Sequence, residues 1–262
     1  MSGRVITITS GKGGVGKTTT TANLSMALAS LNQKVVTIDA DIGLRNLDLV
    51  MGLENRIVYD IIDVVEGRCK LRQAMVKHKS YPHLYLIPAS QTRDKTAITP
   101  QHMRTVAMEL KQSHDFVLID SPAGIEWGFK NAIAPADEVL IVTNPDVSAV
   151  RDADRIIGLI EAAERPLSVR LILNRIKHGM VKKGDMLSVE DVVSLLSIRR
   201  IGIVPEDEQI IRSSNEGVAA DGHAGIAFQN IARRLMGEDV PFLELESDSF
   251  LGRFRKLFGS GQ

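Results

Sequence analysis

The chain has 262 residues, with lysine plus arginine balancing aspartate plus glutamate at 32 each and a single cysteine, Cys69. The length supports one large buried core, and the neutral balance gives no global field toward nucleic acid or an acidic surface, so either partner must be met by a local patch. One cysteine excludes both an intrachain disulfide and a cysteine metal cluster, and no apolar run reaches the roughly 18 residues of a spanning helix. A cytosolic protein, neither secreted nor transmembrane, is expected.

The first predicted element is a strand over Val5–Thr9, followed by SGKGGVGKTTT. Gly11 to Thr18 reads G-K-G-G-V-G-K-T, a match to G-x-x-x-x-G-K-[ST] lying between a strand and a helix that starts at Lys17 and runs to about Leu31. In such a loop the residues Gly11, Lys12, Gly13, Gly14, Val15 and Gly16 wrap phosphates with backbone N–H groups. Lys17 reaches the outer phosphates, Thr18 offers a hydroxyl to Mg²⁺, and Thr19 continues the helix N-terminus. The spare lysine, Lys12, has no role in that chemistry.

A second strand, Val35–Ile38, runs into DADIGLRNLDL, which places Asp39 and Asp41 at i and i+2. One of them could orient an attacking water, acting by position since an aspartate is a weak base. Strands follow at Leu84–Ile87 and Phe116–Ile119. The second of these ends in Asp120, where a nucleotide hydrolase needs a carboxylate near its metal, here held through water. A strand at Val139–Val142 precedes a helix starting near Val147, whose Arg151, Asp152, Asp154 and Arg155 read as a charged solvated face. Strands at Val169–Leu173, ending in Asn174, and at Ile201–Val204 complete the series. Seven continuous apolar runs separated by helical stretches predict a doubly wound α/β domain: a mostly parallel sheet flanked by helices, as in the P-loop NTPases, with ligands at the strands' carboxyl ends.

This domain is expected to fill residues 1–243. ELESDS supplies an acidic linker over 244–249, and residues 250–262 form a separate tail. In the tail Phe250, Leu251, Phe254, Leu257 and Phe258 share one helical face, while Arg253, Arg255 and Lys256 fill the other. A helix this short cannot span a bilayer but can lie among anionic headgroups. Two tails on one dimer gain an effective-concentration factor that can reach about a hundredfold.

KGGVGKTT, DADIGLRNLDLVMGLENRIVYD, IPASQTRDK, DSPAGIE, TNPDVSAVRDADR and VPED together resemble the deviant Walker A ATPases, the ParA/MinD family, and its septum-positioning members in particular. The resemblance implies ATP and Mg²⁺ as cofactors and an ATP-bound homodimer in which Lys12 reaches the partner's nucleotide. It implies Asp41 as the switch I residue organising the catalytic water and Asp120 as the switch II aspartate, both close to the metal. It places Asn174 and the loop Pro205, Glu206 and Asp207 around the adenine, and partner binding on the helix carrying Asp152 and Asp154. A MinC-like division inhibitor and a MinE-like activator are the partners implied, with the protein cytoplasmic and peripheral on the cytoplasmic face of the cell membrane. Nucleic acid is not expected. The alternatives are a DNA partition ATPase, which would need a basic surface, a flagellar-number regulator, and a nucleotide-gated membrane scaffold with incidental hydrolysis. The stretch Ser213–Phe228 departs from the family by lacking a proline after SNEG, and is expected as a loop.

Overall fold

The strands of the computed structural model are β1 (Arg4–Thr9), β2 (Val35–Asp39), β3 (Val76–Lys77), β4 (Leu84–Ile87), β5 (Phe116–Asp120), β6 (Glu138–Thr143), β7 (Ser168–Ile176) and β8 (Arg199–Pro205). They form one sheet in the order β3-β4-β2-β5-β1-β6-β7-β8. The structure describes residues 3–163 and 165–242; the expected acidic linker and amphipathic tail lie outside them. All seven expected strands are present and mutually parallel. The eighth, β3, is an antiparallel two-residue edge that pairs Val76 with Leu86. Two residues carry no periodicity, which is why the sequence did not announce it.

The helices connecting them begin with α1 (Lys17–Ser30), α2 (Leu47–Val50), α3 (Ile61–Val65), α4 (Leu71–Ala74), α5 (Pro100–Lys111) and α6 (Trp127–Ile133). They continue with α7 (Val147–Glu161), α8 (His178–Lys183), α9 (Val189–Leu196), α10 (Gln209–Glu216) and α11 (Gly222–Leu235). Alternation along each strand sends side chains to opposite faces. Ile6 and Ile8 of β1, with Leu118, Leu140 and Ile172, pack under α1 and α11. On the other face, Val36, Val117 and Ile119 meet α5, while Val139, Ile141 and Leu171 meet α7 and α9. Strands covered on both sides must be apolar at every position, and this double burial produced the continuous runs in the sequence.

The stretch Ser213–Phe228 is mostly helical rather than a loop. It ends α10 at Glu216, passes through Gly217 in the left-handed region at φ 66°, and opens α11 at Gly222. The tight glycine cap stops the first helix without a proline. From β1 the chain winds to β2 on one side, returns through β5, and leaves by β6 on the other. The carboxyl ends of β1, β5 and β6 therefore flank the point where the winding reverses, where such sheets bind ligands.

Candidate functional site

The loop after β1 adopts the conformation its glycines permit. Gly14 and Gly16 have φ of 80° and 94°, in the region that side chains with a Cβ avoid. Gly16 caps α1 without any side-chain hydrogen bond, and no acidic residue sits in the first turn. The first-turn N–H groups and the positive end of a 14-residue helix are thus left to an external anion. A Cβ on Gly13 or Gly14 would meet nothing within 4 Å, so the loop is open on the side where phosphates approach. A Cβ on Gly11 would stand 2.2 Å from the carbonyl oxygen of Asp152, because α7 packs directly against the loop.

Lys17 is buried and its Nζ lies 3.0 Å from Asp120 Oδ1. Thr18 donates its hydroxyl to Asp120 Oδ2 at 2.7 Å, and Thr21 donates to Oδ1 at 3.0 Å. Asp120, at the end of β5, thus gathers the lysine and both hydroxyls from the first turns of α1. Thr21 lies four residues beyond Lys17, one helical turn on, and reading the motif alone overlooked it. The hydroxyl of Thr18 beside a carboxylate is a set of hard oxygen ligands, and with the open glycine loop it fits a hydrated Mg²⁺ on a nucleotide phosphate.

The two aspartates after β2 have separate environments. Asp39 is buried, its Oδ1 accepting from the Asp41 N–H at 2.9 Å and its Oδ2 from the Leu47 N–H at 3.2 Å. Burial, together with the charge of Asp120, pushes its pKa up to about 7. It braces the segment between β2 and α2. Asp41 is half-buried; desolvation raises its pKa against the opposing charges of Lys17 and Lys95. Its carboxylate makes no hydrogen bond among the described residues, so of the pair Asp41 is the one available to a water.

Lys12 points away from this cluster. Its Nζ donates to Ser148 Oγ at 2.8 Å, and the Ser148 hydroxyl donates to Asp146 Oδ1 at 2.8 Å. Asp146 caps α7 by accepting from the Ala149 N–H. Further along α7, Asp152, one helical turn beyond Ser148, is half-buried with its backbone against Gly11, and Asp154 is exposed.

Beside the loop opens a cavity of about 1030 Å³, lined by Gly16, Thr19, Asn174 and Arg175 on one side and Pro205, Glu206 and Asp207 on the other. Asn174 Nδ2 donates to the Val15 carbonyl at 2.8 Å, tying the loop to β7. Asn144, with its amide nitrogen turned inward, reaches the same carbonyl at 3.1 Å and the Asn174 backbone oxygen at 3.2 Å. Asn144 falls in the stretch TNPDVSAVRDADR, but nothing in that pattern gave it a role. Asp207 accepts from the Gln209 and Ala224 N–H groups, and Glu206 pairs with Lys177 at 2.8 Å. Asp207 thus ties the loop to α10 and α11 and Glu206 ties it to the residue after β7, so both side chains are engaged within the protein where the loop borders the cavity.

A profile described as an AAA domain matches residues 3–173. The septum site-determining protein MinD of Bacillus subtilis is 53% identical over 98% of both chains. Among solved structures, MinD in the MinC:MinD cell division protein complex of Aquifex aeolicus superposes with a TM-score of 0.84 at 50% identity, covering 93% of this chain and all of that one. The septum site-determining MinD of Pyrococcus horikoshii, complexed with Mg-ADP, has a TM-score of 0.79 at 31% identity over 88% of this chain and 95% of its own.

Proposed function

The chain belongs to the MinD family of septum site-determining proteins and is a P-loop ATPase, and from that membership we propose a cycle in which ATP times its residence on the membrane. With ATP and Mg²⁺ bound, two copies close face to face across their nucleotides. The dimer holds to the anionic inner surface of the cell membrane through the amphipathic segments at 250–262, and a MinC-like division inhibitor rides on it. Hydrolysis, stimulated by a MinE-like activator, separates the subunits and releases both.

The observation that carries this reading is the division of labour between the two lysines. Lys17 is buried against Asp120 at the loop's own phosphate site, whereas Lys12 is exposed and its one side-chain hydrogen bond among the described residues is to Ser148. A cation so placed can leave at little cost and reach a nucleotide bound to a second copy. Thr18 would hold the metal directly and Asp120 and Asp41 through water, and the ion would supply charge neutralisation between the β- and γ-phosphates. Lys17, released from Asp120 by a competing anion, turns toward those phosphates. Asp41 orients the attacking water, and Asp39 keeps Asp41 in register. Asn174 and the Pro205–Asp207 loop bound the adenine side. The Aquifex complex supports a MinC-like partner, for which Asp152 and Asp154 on α7 are the proposed contacts.

Vesicle sedimentation tests the cycle. Intact protein should pellet with anionic vesicles in ATP and stay in the supernatant in ADP, and a form truncated after Ser247 should pellet in neither. Equal pelleting of intact protein in both nucleotides would defeat the coupling of ATP to membrane binding.

A further inference from the structure

The chain reaches the end of its described residues between two guanidinium groups. The Phe242 ring centroid lies 4.3 Å from Cζ of Arg200 and 4.2 Å from Cζ of Arg234. Arg234 also donates to the carbonyls of Ile201, Val240 and Pro241 at 2.9, 2.9 and 2.7 Å, fixing the chain's path toward Phe242. None of these partners neutralises it. Its pKa is lowered by burial and by the neighbouring charge of Arg200. Arg199, the exposed first residue of β8, makes no ion pair among the described residues. Among the described residues Arg200 pairs with Glu190 alone, at 3.7 Å, an acid whose side chain is 78% exposed.

In a chain of zero formal net charge, Arg199, Arg200 and Arg234 share one ion pair among the described residues, the long contact with Glu190; of the acids on the loop after α11, Glu238 is taken by Arg233 and Asp239 is exposed, so the three arginines leave a local positive excess at one spot. That spot is the amino end of β8, at the opposite end of the sheet from the phosphate loop. We propose that Arg199, Arg200 and Arg234 form a second contact with an anionic bilayer, borne by the folded domain itself. The proposal rests on the reading above that residues 250–262 enter the membrane.

Reach favours it. Phe250 follows Phe242 by eight positions, and an unstructured chain of eight steps averages roughly 16 Å end to end. The Phe242 clamp starts that connection at the arginines, which holds them within about two screening lengths of the headgroups at physiological salt. The competing occupant is the acid run Glu244, Glu246 and Asp248, which follows Phe242 directly.

The test uses the full chain with Mg-ATP on vesicles of zwitterionic lipid doped with increasing phosphatidylglycerol. Arg199→Gln, at an exposed position without ion-pair partners among the described residues, should bind about fivefold more weakly, and Arg199→Glu more weakly still. Both losses should grow with the anionic fraction and fade at high salt. ATP-dependent dimerisation and ATPase activity without lipid should match wild type. If Arg199→Glu and Arg200→Gln both bind as wild type does at every composition, the domain contact is wrong and the acid run is what meets the arginines. If the unmutated chain fails to bind vesicles in ATP, the tail reading itself fails, and that result is read without any variant.

Discussion

The buried and exposed lysines make opposite predictions about stability, and these can be measured before any nucleotide is added. Lys17 and Asp120 have side chains 8% and 1% exposed and lie 3.0 Å apart. Lys17→Ala leaves Asp120 as a buried carboxylate with two hydroxyl donors, Thr18 and Thr21. Breaking a buried pair from one side costs about 3 to 5 kcal/mol. The surviving hydroxyls place this case near the lower end, about 3 kcal/mol, or roughly 6 to 12 °C in Tm for a domain of this size. Lys12→Ala removes one hydrogen bond between exposed side chains and should stay within about 0.5 kcal/mol. The assay is thermal unfolding of both variants and wild type without nucleotide. Binding of a fluorescent ATP analogue and light scattering with ATP then complete it. Lys17→Ala should lose stability and nucleotide affinity together, whereas Lys12→Ala should keep both and lose only the ATP-dependent dimer. Equal Tm shifts for the two variants would refute the assignment, as would a Lys12→Ala protein that still dimerises.

Asp39, with its pKa raised to about 7 from an ordinary 3.8, retains a proton in the folded state that the unfolded chain releases. Its contribution to stability is therefore complete at low pH and declines as pH rises from about 4 through about 7. Asp39→Asn has no such proton and should gain on wild type across that window in denaturant titrations; parallel curves would contradict the burial argument. Gly11→Ala, whose Cβ would meet the Asp152 carbonyl at 2.2 Å, should cost about 1 to 3 kcal/mol by forcing α7 off the loop. It should also weaken binding of the partner inhibitor, measured by co-sedimentation. Glu138, 4% exposed and paired with both Arg4 and Arg170, lies at the amino end of β6, far from the loop. Glu138→Ala leaves Arg4 and Arg170 unpaired but 41% and 22% exposed, and should lower stability by about 1 to 3 kcal/mol while ATP affinity at low temperature is unchanged.

What could be read from the sequence was local. The phosphate loop is eight consecutive residues, and Asp120 was visible because a carboxylate ending an apolar strand is out of place unless something there needs it. Spacing left the choice between Asp39 and Asp41 open, and only the family resemblance favoured Asp41. Spacing i and i+2 says only that two side chains share a side, and the deciding bond comes from the N–H of Leu47, six residues beyond Asp41. Ser148 meets Lys12 across 136 residues of chain, and Asn144 reaches the loop over a similar separation. Both lie in the family stretch TNPDVSAVRDADR, but nothing in it says which residue it meets, so the sheet order had to be known before either could be placed beside the loop.

Placement also fits the separate roles proposed for the two lysines. A cation that must hold one nucleotide can be buried, since the carboxylate that pairs with it when phosphate is absent also offsets the cost of desolvation. A cation that must cross to a second subunit cannot be buried, because its desolvation would have to be reversed in every cycle. Lys12 is exposed, and its direct partner is the neutral Ser148 hydroxyl, with the Asp146 carboxylate one hydrogen bond further on, so its release costs less than breaking a direct ion pair. The same serine stands in the first turn of α7, the helix that carries Asp152 and Asp154 and packs on Gly11. Departure of Lys12 to a partner subunit would therefore remove a contact from the proposed partner-binding helix in the step that forms the dimer. A Ser148→Ala variant separates the two effects: dimerisation with ATP should persist, while inhibitor binding should shift toward the value of the dimer even in ADP. Unchanged inhibitor binding in ADP would mean that α7 does not respond to the lysine at all.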